Sequence, residues 1–364
     1  MKYGVFLPNA TNGFILSNGS PQYLPSFEHN KAIVQAAEAQ GLDFALSMMK
    51  HKGPGGTSDF WGSCLESFSL MSGLAAVTER IELIPSVTLL ATHPAVAARM
   101  IATLDDISGG RAALNLVTGW NKPEYESLGL WPGDEYFDRR YELAAEYVQV
   151  LRRLWTEDDV HHAGEFFQLA GATIKPKPRR AVPLVCAGQS PKGQDFTAAV
   201  GDYNFVMAAP DDLRGIVDGL QTYATGHGRS GVGTYALYCM IAEETDAEAD
   251  RLCQSIIDTA DLDAIAHLTG AAAIDTNTGG TSTQLLKSLE RPAVEGNMTF
   301  LSFPVIKGSY ESVARQLDEL VERTGIDGIL LTWPDFVDGV TKFGERVMPL
   351  LTTAASQTRL ASQA

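Results

Sequence analysis

Four short apolar segments of this chain end in residues that can do chemistry. Ser47-Met48-Met49-Lys50 precedes Gly53-Pro54-Gly55-Gly56, and Asn115-Leu116-Val117-Thr118-Gly119-Trp120-Asn121 runs on through Glu124 to Trp131-Pro132-Gly133. Cys186-Ala187-Gly188-Gln189-Ser190 stands directly before a helical pattern, and Thr332-Trp333-Pro334-Asp335 closes the last segment. Amides, hydroxyls and aromatic rings gathered in this way suit a bound organic ring. Gly188-Gln189-Ser190 would also bare backbone N–H groups at the positive end of a helix, which is a cradle for phosphate. A plain serine N-cap accounts for the same three residues. Arg140 and Tyr141, at the start of another helix, can add a charge and a hydroxyl, although a solvated face and core packing are their alternatives.

Other signals carry no chemistry. Cys64, Cys186, Cys239 and Cys253 are too scattered for a disulfide framework or zinc pairs and read as free thiols. His161-His162 has no partner at ligand spacing and is expected on a solvated surface. Gly226-His227-Gly228-Arg229-Ser230-Gly231 matches GxGxxG but follows a helix and precedes a strand, so it is a turn. HExxH and GxSxG are absent, and no metal site is expected.

The elements that must position these residues alternate along the whole chain. Strand-like runs occur at Tyr3–Leu7, Phe44–Met49, Ile81–Leu90, Ala112–Val117, Leu184–Ala187, Tyr203–Ala208, Tyr235–Ala242 and Gly328–Thr332. Helical patterns lie between them. In Arg140–Trp155, Leu143, Tyr147, Leu151, Leu154 and Trp155 share one face. Ser309 caps a helix carrying Val313, Leu317, Leu320 and Val321, and Thr92 with Pro94 forms the cap and first turn of another. Eight strands each followed by a helix predict a (β/α)₈ TIM barrel, whose chemistry sits at the carboxyl ends of the strands. Leu7-Pro8-Asn9-Ala10 after the first strand is no phosphate turn, which argues against a doubly wound sheet. Residues 158–178 predict a hairpin inserted before strand five. Residues 262–297, between strands seven and eight, predict either a lid or binding loop or a peripheral helical excursion. One domain over 1–355 with a frayed tail at 356–364 is expected.

Hydrophobic residues at 45% and charged residues at 20% describe a globular chain with ample core. A net charge of −16 would repel nucleic acid and anionic membrane alike. The first residues read as a strand rather than a signal peptide, and no run of about 18 apolar residues occurs. A cytoplasmic location is expected.

Pro21-Gln22-Tyr23, Asn30–Gln35, Phe44–Met48, Ser108-Gly109-Gly110-Arg111, Asn115–Trp120, Trp131–Asp134, Tyr147–Arg152 and Cys186–Ser190 together resemble the bacterial-luciferase-like, FMN-dependent monooxygenases. The resemblance spans nearly the whole chain. It implies reduced FMN held by Met49, Lys50, Asn115, Glu124, Arg140, Tyr141 and Ser190. Oxygen and substrate would meet near Met48, Ser86, Asn115, Trp120 and Phe205. The implied chemistry is attack of a flavin peroxide on an electron-poor heterocycle carrying a uracil-like imide, with the cofactor doing the hard step. The implied partners are O₂, a small heterocyclic substrate, a separate NAD(P)H-dependent flavin reductase and further copies of the chain in a homo-oligomer.

Within that resemblance the substrate side departs from the pyrimidine-cleaving members. Ser86 stands where they carry Thr. Ala91-Thr92-His93, Met207–Pro210, Leu285–Lys307 and Trp333-Pro334 also differ. The expectation drawn from these departures is a reshaped pocket for riboflavin, releasing lumichrome, with ring opening of uracil or thymine as the alternative. A non-catalytic flavin-binding barrel and a deazaflavin-dependent hydride-transfer enzyme are the competing classes.

Overall fold

The computed structural model describes residues 1–290 and 298–352, so the end of the 262–297 insertion and the expected tail at 356–364 lie outside the described residues. Twelve strands form among them: β1 Lys2–Leu7, β2 Phe44–Ser47, β3 Glu82–Ile84, β4 Ser86–Thr88, β5 Leu114–Val117, β6 Val160–Ala163, β7 Gln168–Ala172, β8 Leu184–Cys186, β9 Tyr203–Val206, β10 Gly233–Glu243, β11 Val305–Ser309 and β12 Gly328–Thr332. The helices are α1 Phe27–Ala39, α2 Ser67–Ala75, α3 Pro94–Ser108, α4 Lys122–Glu126, α5 Tyr136–Thr156, α6 Pro191–Val200, α7 Pro210–Gly226, α8 Asp246–Asp258, α9 Leu262–Ala272, α10 Thr281–Lys287, α11 Tyr310–Thr324 and α12 Phe336–Lys342.

All the pairings of the main sheet are parallel, in the order β3-β2-β1-β12-β10-β9-β8-β5-β4. Pro85, which cannot donate a ladder hydrogen bond, splits the third barrel strand into β3 and β4. The barrel nearly closes there nonetheless. Leu83 N–H donates to Arg111 O, Ala113 N–H to Leu83 O and Asn115 N–H to Pro85 O, at 2.9, 3.0 and 2.9 Å. Each of the eight expected strands is therefore present.

Strand burial follows from this closure. β2, β8 and β12 are buried at every position, as strands walled by helices outside and a packed interior must be. Ser108-Gly109-Gly110-Arg111 serves the floor of the barrel rather than its mouth. Gly109, at φ +70°, ends α3 in the left-handed conformation that glycine enters without Cβ strain. Arg111 then donates to the carbonyls of Ala75, Thr78, Ile81 and Ser108 at 2.8 to 3.0 Å, tying α2 and α3 to the strand starts.

Several local expectations need correction. The cap of α3 is His93 rather than Thr92; its Nδ1 accepts the Ala95 N–H at 3.2 Å. α5 begins a turn earlier than its apolar stripe shows, at Tyr136. The hairpin before strand five is β6–β7, but His162 is not solvated. Its ring lies 3.0 Å from the Glu146 carboxylate, which also accepts the Phe167 N–H at 2.8 Å. β11, parallel to β10, was not anticipated. No helix among the described residues is long and apolar enough to cross a membrane.

Candidate active site

A cavity with about 1120 Å³ of free space, its open mouth included, sits at the carboxyl ends of the strands. Met48, Met49, Lys50, Ser86, Asn115, Trp120, Glu124 and Phe205 all line it. A narrower adjoining space is bounded by Arg140 and Tyr141 and shares Thr118, Trp120, Ala187, Gln189 and Thr281 with the first. Three of the four polar strand ends read from the sequence thus converge, those after β2, β5 and β8. Ser190 is fully buried as the N-cap of α6, its Oγ accepting the Gly193 N–H at 3.1 Å.

Asn115 is oriented by a chain of hydroxyls. Ser86 Oγ donates to the Ser47 carbonyl at 2.6 Å, so its lone pair is left to accept the Asn115 amide at 2.8 Å. Ser86 N–H in turn donates to Ser67 Oγ at 2.8 Å, which holds β4 against α2. Asn115 Oδ1 has no partner and is buried. The residue therefore presents an acceptor, whereas binding a peroxide oxygen or a substrate carbonyl would need the donor end.

Lys50 and Glu124 form an ion pair, with side chains 10% and 5% exposed. Glu124 also accepts the His51 N–H at 2.7 Å, and the ammonium lies 5.6 Å from the Trp61 ring and 5.9 Å from Trp120. Such pairing keeps two buried charges tolerable and leaves the indole faces to shape the wall. Gly119, at φ +84°, brings the loop down on Tyr125, where a Cβ would meet the ring at 2.8 Å. That contact sets Trp120 over the cavity.

Arg140 is neither solvated nor free. Both Nη atoms donate to Asp275 Oδ2, at 3.2 and 3.3 Å, and the two side chains are 4% and 1% exposed. Arg140 Nε and Gln189 Nε2 are buried without partners, as is Asn121 Oδ1. Gln189 is fixed by its Oε1, which accepts the Met207 N–H at 2.6 Å, so its amide nitrogen remains as a donor. A wide apolar space and a narrow one ending at a guanidinium, with unpaired donors and acceptors between, fit a flavin ring, its polar chain and a terminal phosphate.

The segments expected on the substrate side divide. Met207, Leu285, Leu301 and Phe303 line the cavity, as do Leu268 and Thr281. His93 sits outside it, edge-on to Phe167. Trp333 and Pro334 face a separate space beside α12, and Lys307 pairs with Asp250 at the surface. Unanticipated are Phe6 and Phe14, stacked at 4.2 Å, and the pinning of β2 by Asn9, whose Oδ1 accepts the Met48 N–H at 3.1 Å. Phe6 belongs to the apolar run of β1, but Asn9 and Phe14 lie beyond its end and have no local signature.

Against known proteins, residues 1–359 match the model of the luciferase-like monooxygenases. The chain belongs to that family. It is 47% identical to the pyrimidine monooxygenase RutA of Acinetobacter baylyi over 357 residues, covering 97% of this chain and 95% of the relative. The RutA of Serratia proteamaculans is 45% identical, covering 98% and 96%. Among solved structures, the riboflavin lyase RcaE superposes with a TM-score of 0.85 over 98% of this chain and 92% of that one, at 21% identity. The chain is thus a flavin-dependent monooxygenase on a nearly closed parallel barrel.

Proposed function

We propose that this enzyme uses reduced FMN and O₂ to oxygenate a pyrimidine ring of the uracil type. The observation that carries the reading is the fixed amide of Asn115, an unpaired acceptor at the wall of an otherwise apolar cavity. Uracil and the flavin ring both offer imide N–H groups to such an oxygen. Near-full-length relatives at 45–47% identity, named as pyrimidine monooxygenases, favour uracil over riboflavin. The likeness to riboflavin lyase, at 21% identity, speaks for the fold alone.

The riboflavin expectation loses part of its physical basis. It draws on Ser86, Ala91-Thr92-His93, Met207–Pro210, Leu285–Lys307 and Trp333-Pro334. Of these, His93 and Lys307, candidates for the ribityl hydroxyls or the surface, and Trp333-Pro334 do not border the cavity. Of the changed positions, Ser86, Met207, Leu285, Leu301 and Phe303 border it, the last four of them bulky and apolar. Such residues give the substrate side an apolar wall on which a small ring can pack, and that packing matters because empty apolar space forfeits contacts.

Bound reduced flavin supplies the electrons and the site of oxygen activation. The protein's own residues do the rest. Met49, Lys50 and Glu124 would flank the ring system, with Arg140, Tyr141 and Ser190 toward the phosphate. Met48, Trp120 and Phe205, backed by Phe6 and Phe14, exclude water from the reacting edge. The Ser47–Ser86–Asn115 relay keeps the acceptor from rotating. Electrons would arrive with FMN reduced by a separate NAD(P)H-dependent reductase. Enzyme-dependent loss of uracil with a matching fall in hydrogen peroxide per NADH consumed, in a mixture of enzyme, FMN, flavin reductase and NADH, tests the proposal; uracil left intact with every reducing equivalent recovered as peroxide counts against it.

A further inference from the structure

The carboxylate on Arg140 comes from the long insertion, 135 residues away in sequence. Asp275 Oδ2 accepts both Arg140 Nη groups and the Ser282 hydroxyl, the last at 2.8 Å, while Oδ1 accepts the Asn277 N–H at 2.9 Å. Asn277 Nδ2 reaches Ser190 Oγ at 3.2 Å. Gly279 lies against Pro191 and Ser190 at the start of α6, and Gln284 Nε2 donates to the Met207 carbonyl at 3.4 Å. The segment from Asp275 to Gln284 therefore covers the narrow end of the cavity, with one carboxylate accepting four hydrogen bonds beneath it.

We infer that Asp275 is a stand-in for the phosphate of FMN, a latch that must leave Arg140 for the cofactor to bind. Charge balance argues for exchange rather than coexistence. Arg140 is the one cation among the residues lining this space, and Asp275 already neutralises it. A phosphate monoester carries roughly −1.5 to −2 at neutral pH. Adding it beside a retained Asp275 would bury close to two uncompensated negative charges, which a low-dielectric site does not tolerate. The unpartnered Arg140 Nε offers the incoming group a first contact before the carboxylate has left.

This inference rests on the FMN reading above, and one titration separates the two. Flavin fluorescence is followed while FMN, or riboflavin, which has the same ring without the phosphate, is titrated into the full-length protein and into Asp275→Asn. Asparagine can keep the Asn277 contact through its oxygen and meet the Ser282 hydroxyl with its NH2 as donor, and it removes the competing charge. The latch predicts FMN binding tightened by about tenfold or more, riboflavin binding changed by less than about twofold, and Asp275→Ser moving FMN in the same direction. Weaker FMN binding in both variants would mean that the carboxylate orients Arg140, and would overturn the latch. Equal shifts for the two flavins, or no shift, would overturn it as well while leaving the FMN site standing. Failure of every form to bind FMN would overturn the cofactor reading, and the latch with it.

Discussion

At Asn115 a neighbouring hydroxyl decides which end of an amide faces the cavity. Ser86 is committed as a donor to Ser47 O, so removing it frees Asn115 to turn. Asn115→Ala is expected to keep FMN binding while diverting electrons to hydrogen peroxide; peroxide assay beside NADH consumption checks this, and full coupling would remove Asn115 from the account. Ser86→Thr keeps the hydroxyl and is expected to stay coupled, whereas Ser86→Ala is not. Arg140 needs a different design, because Arg140→Ala strands a buried Asp275. That substitution should cost about 3–5 kcal/mol of stability, read by urea denaturation. The double variant Arg140→Ala/Asp275→Asn should recover much of the loss yet bind FMN about 10–150-fold more weakly than Asp275→Asn alone. Asn115 and Arg140 were legible as candidates because each sits in a run read as the end of a strand or the start of a helix, although α5 in fact starts a turn before Arg140. Asp275 was not: a single aspartate in an Ala- and Gly-rich stretch has no local signature, and its partner lies across the fold.

The elements show the same division between local and long-range information. Eight strands were readable since β-branched and apolar runs alternate with helical stripes. The break at Pro85 and the extra β11 depend on how closure distributes the ladder bonds. For the insertion the lid and the peripheral excursion were both open, and α9 and α10 bring Leu268, Thr281 and Leu285 to the cavity wall. Asp261 anchors this unit. Its carboxylate caps α9 at the Ala264 N–H, 3.1 Å away, and receives the N–H and hydroxyl of Ser58 at 2.7 and 2.6 Å. Burial pushes its pKa up, but these hydrogen bonds outweigh that and bring it down to about 2. A depressed carboxylate contributes stability that is complete above its unfolded value near 4 and fades as pH falls toward 2, here about 2 kcal/mol. The melting-temperature gap between the wild type and Asp261→Ala should hold from pH 7 to 5 and shrink below pH 4. A gap unchanged at pH 3 would contradict this anchor.

For the whole molecule, the barrel gathers residues from sequence positions as distant as Phe6 and Phe303 into one cavity. Two of its buried thiols stand apart from that chemistry, since burial pushes both Cys186 and Cys239 up to about 12. Slow alkylation of both in the native state, followed by mass spectrometry, is the expected outcome. The central claim is a small pyrimidine substrate in a pocket walled on the substrate side by Met207, Leu285, Leu301 and Phe303. The most direct test incubates the enzyme with one reduced-FMN supply, offers uracil and riboflavin in parallel, and follows each by chromatography. The account predicts that uracil is consumed with matching oxygen uptake while riboflavin survives. Conversion of riboflavin to lumichrome with uracil untouched would contradict it.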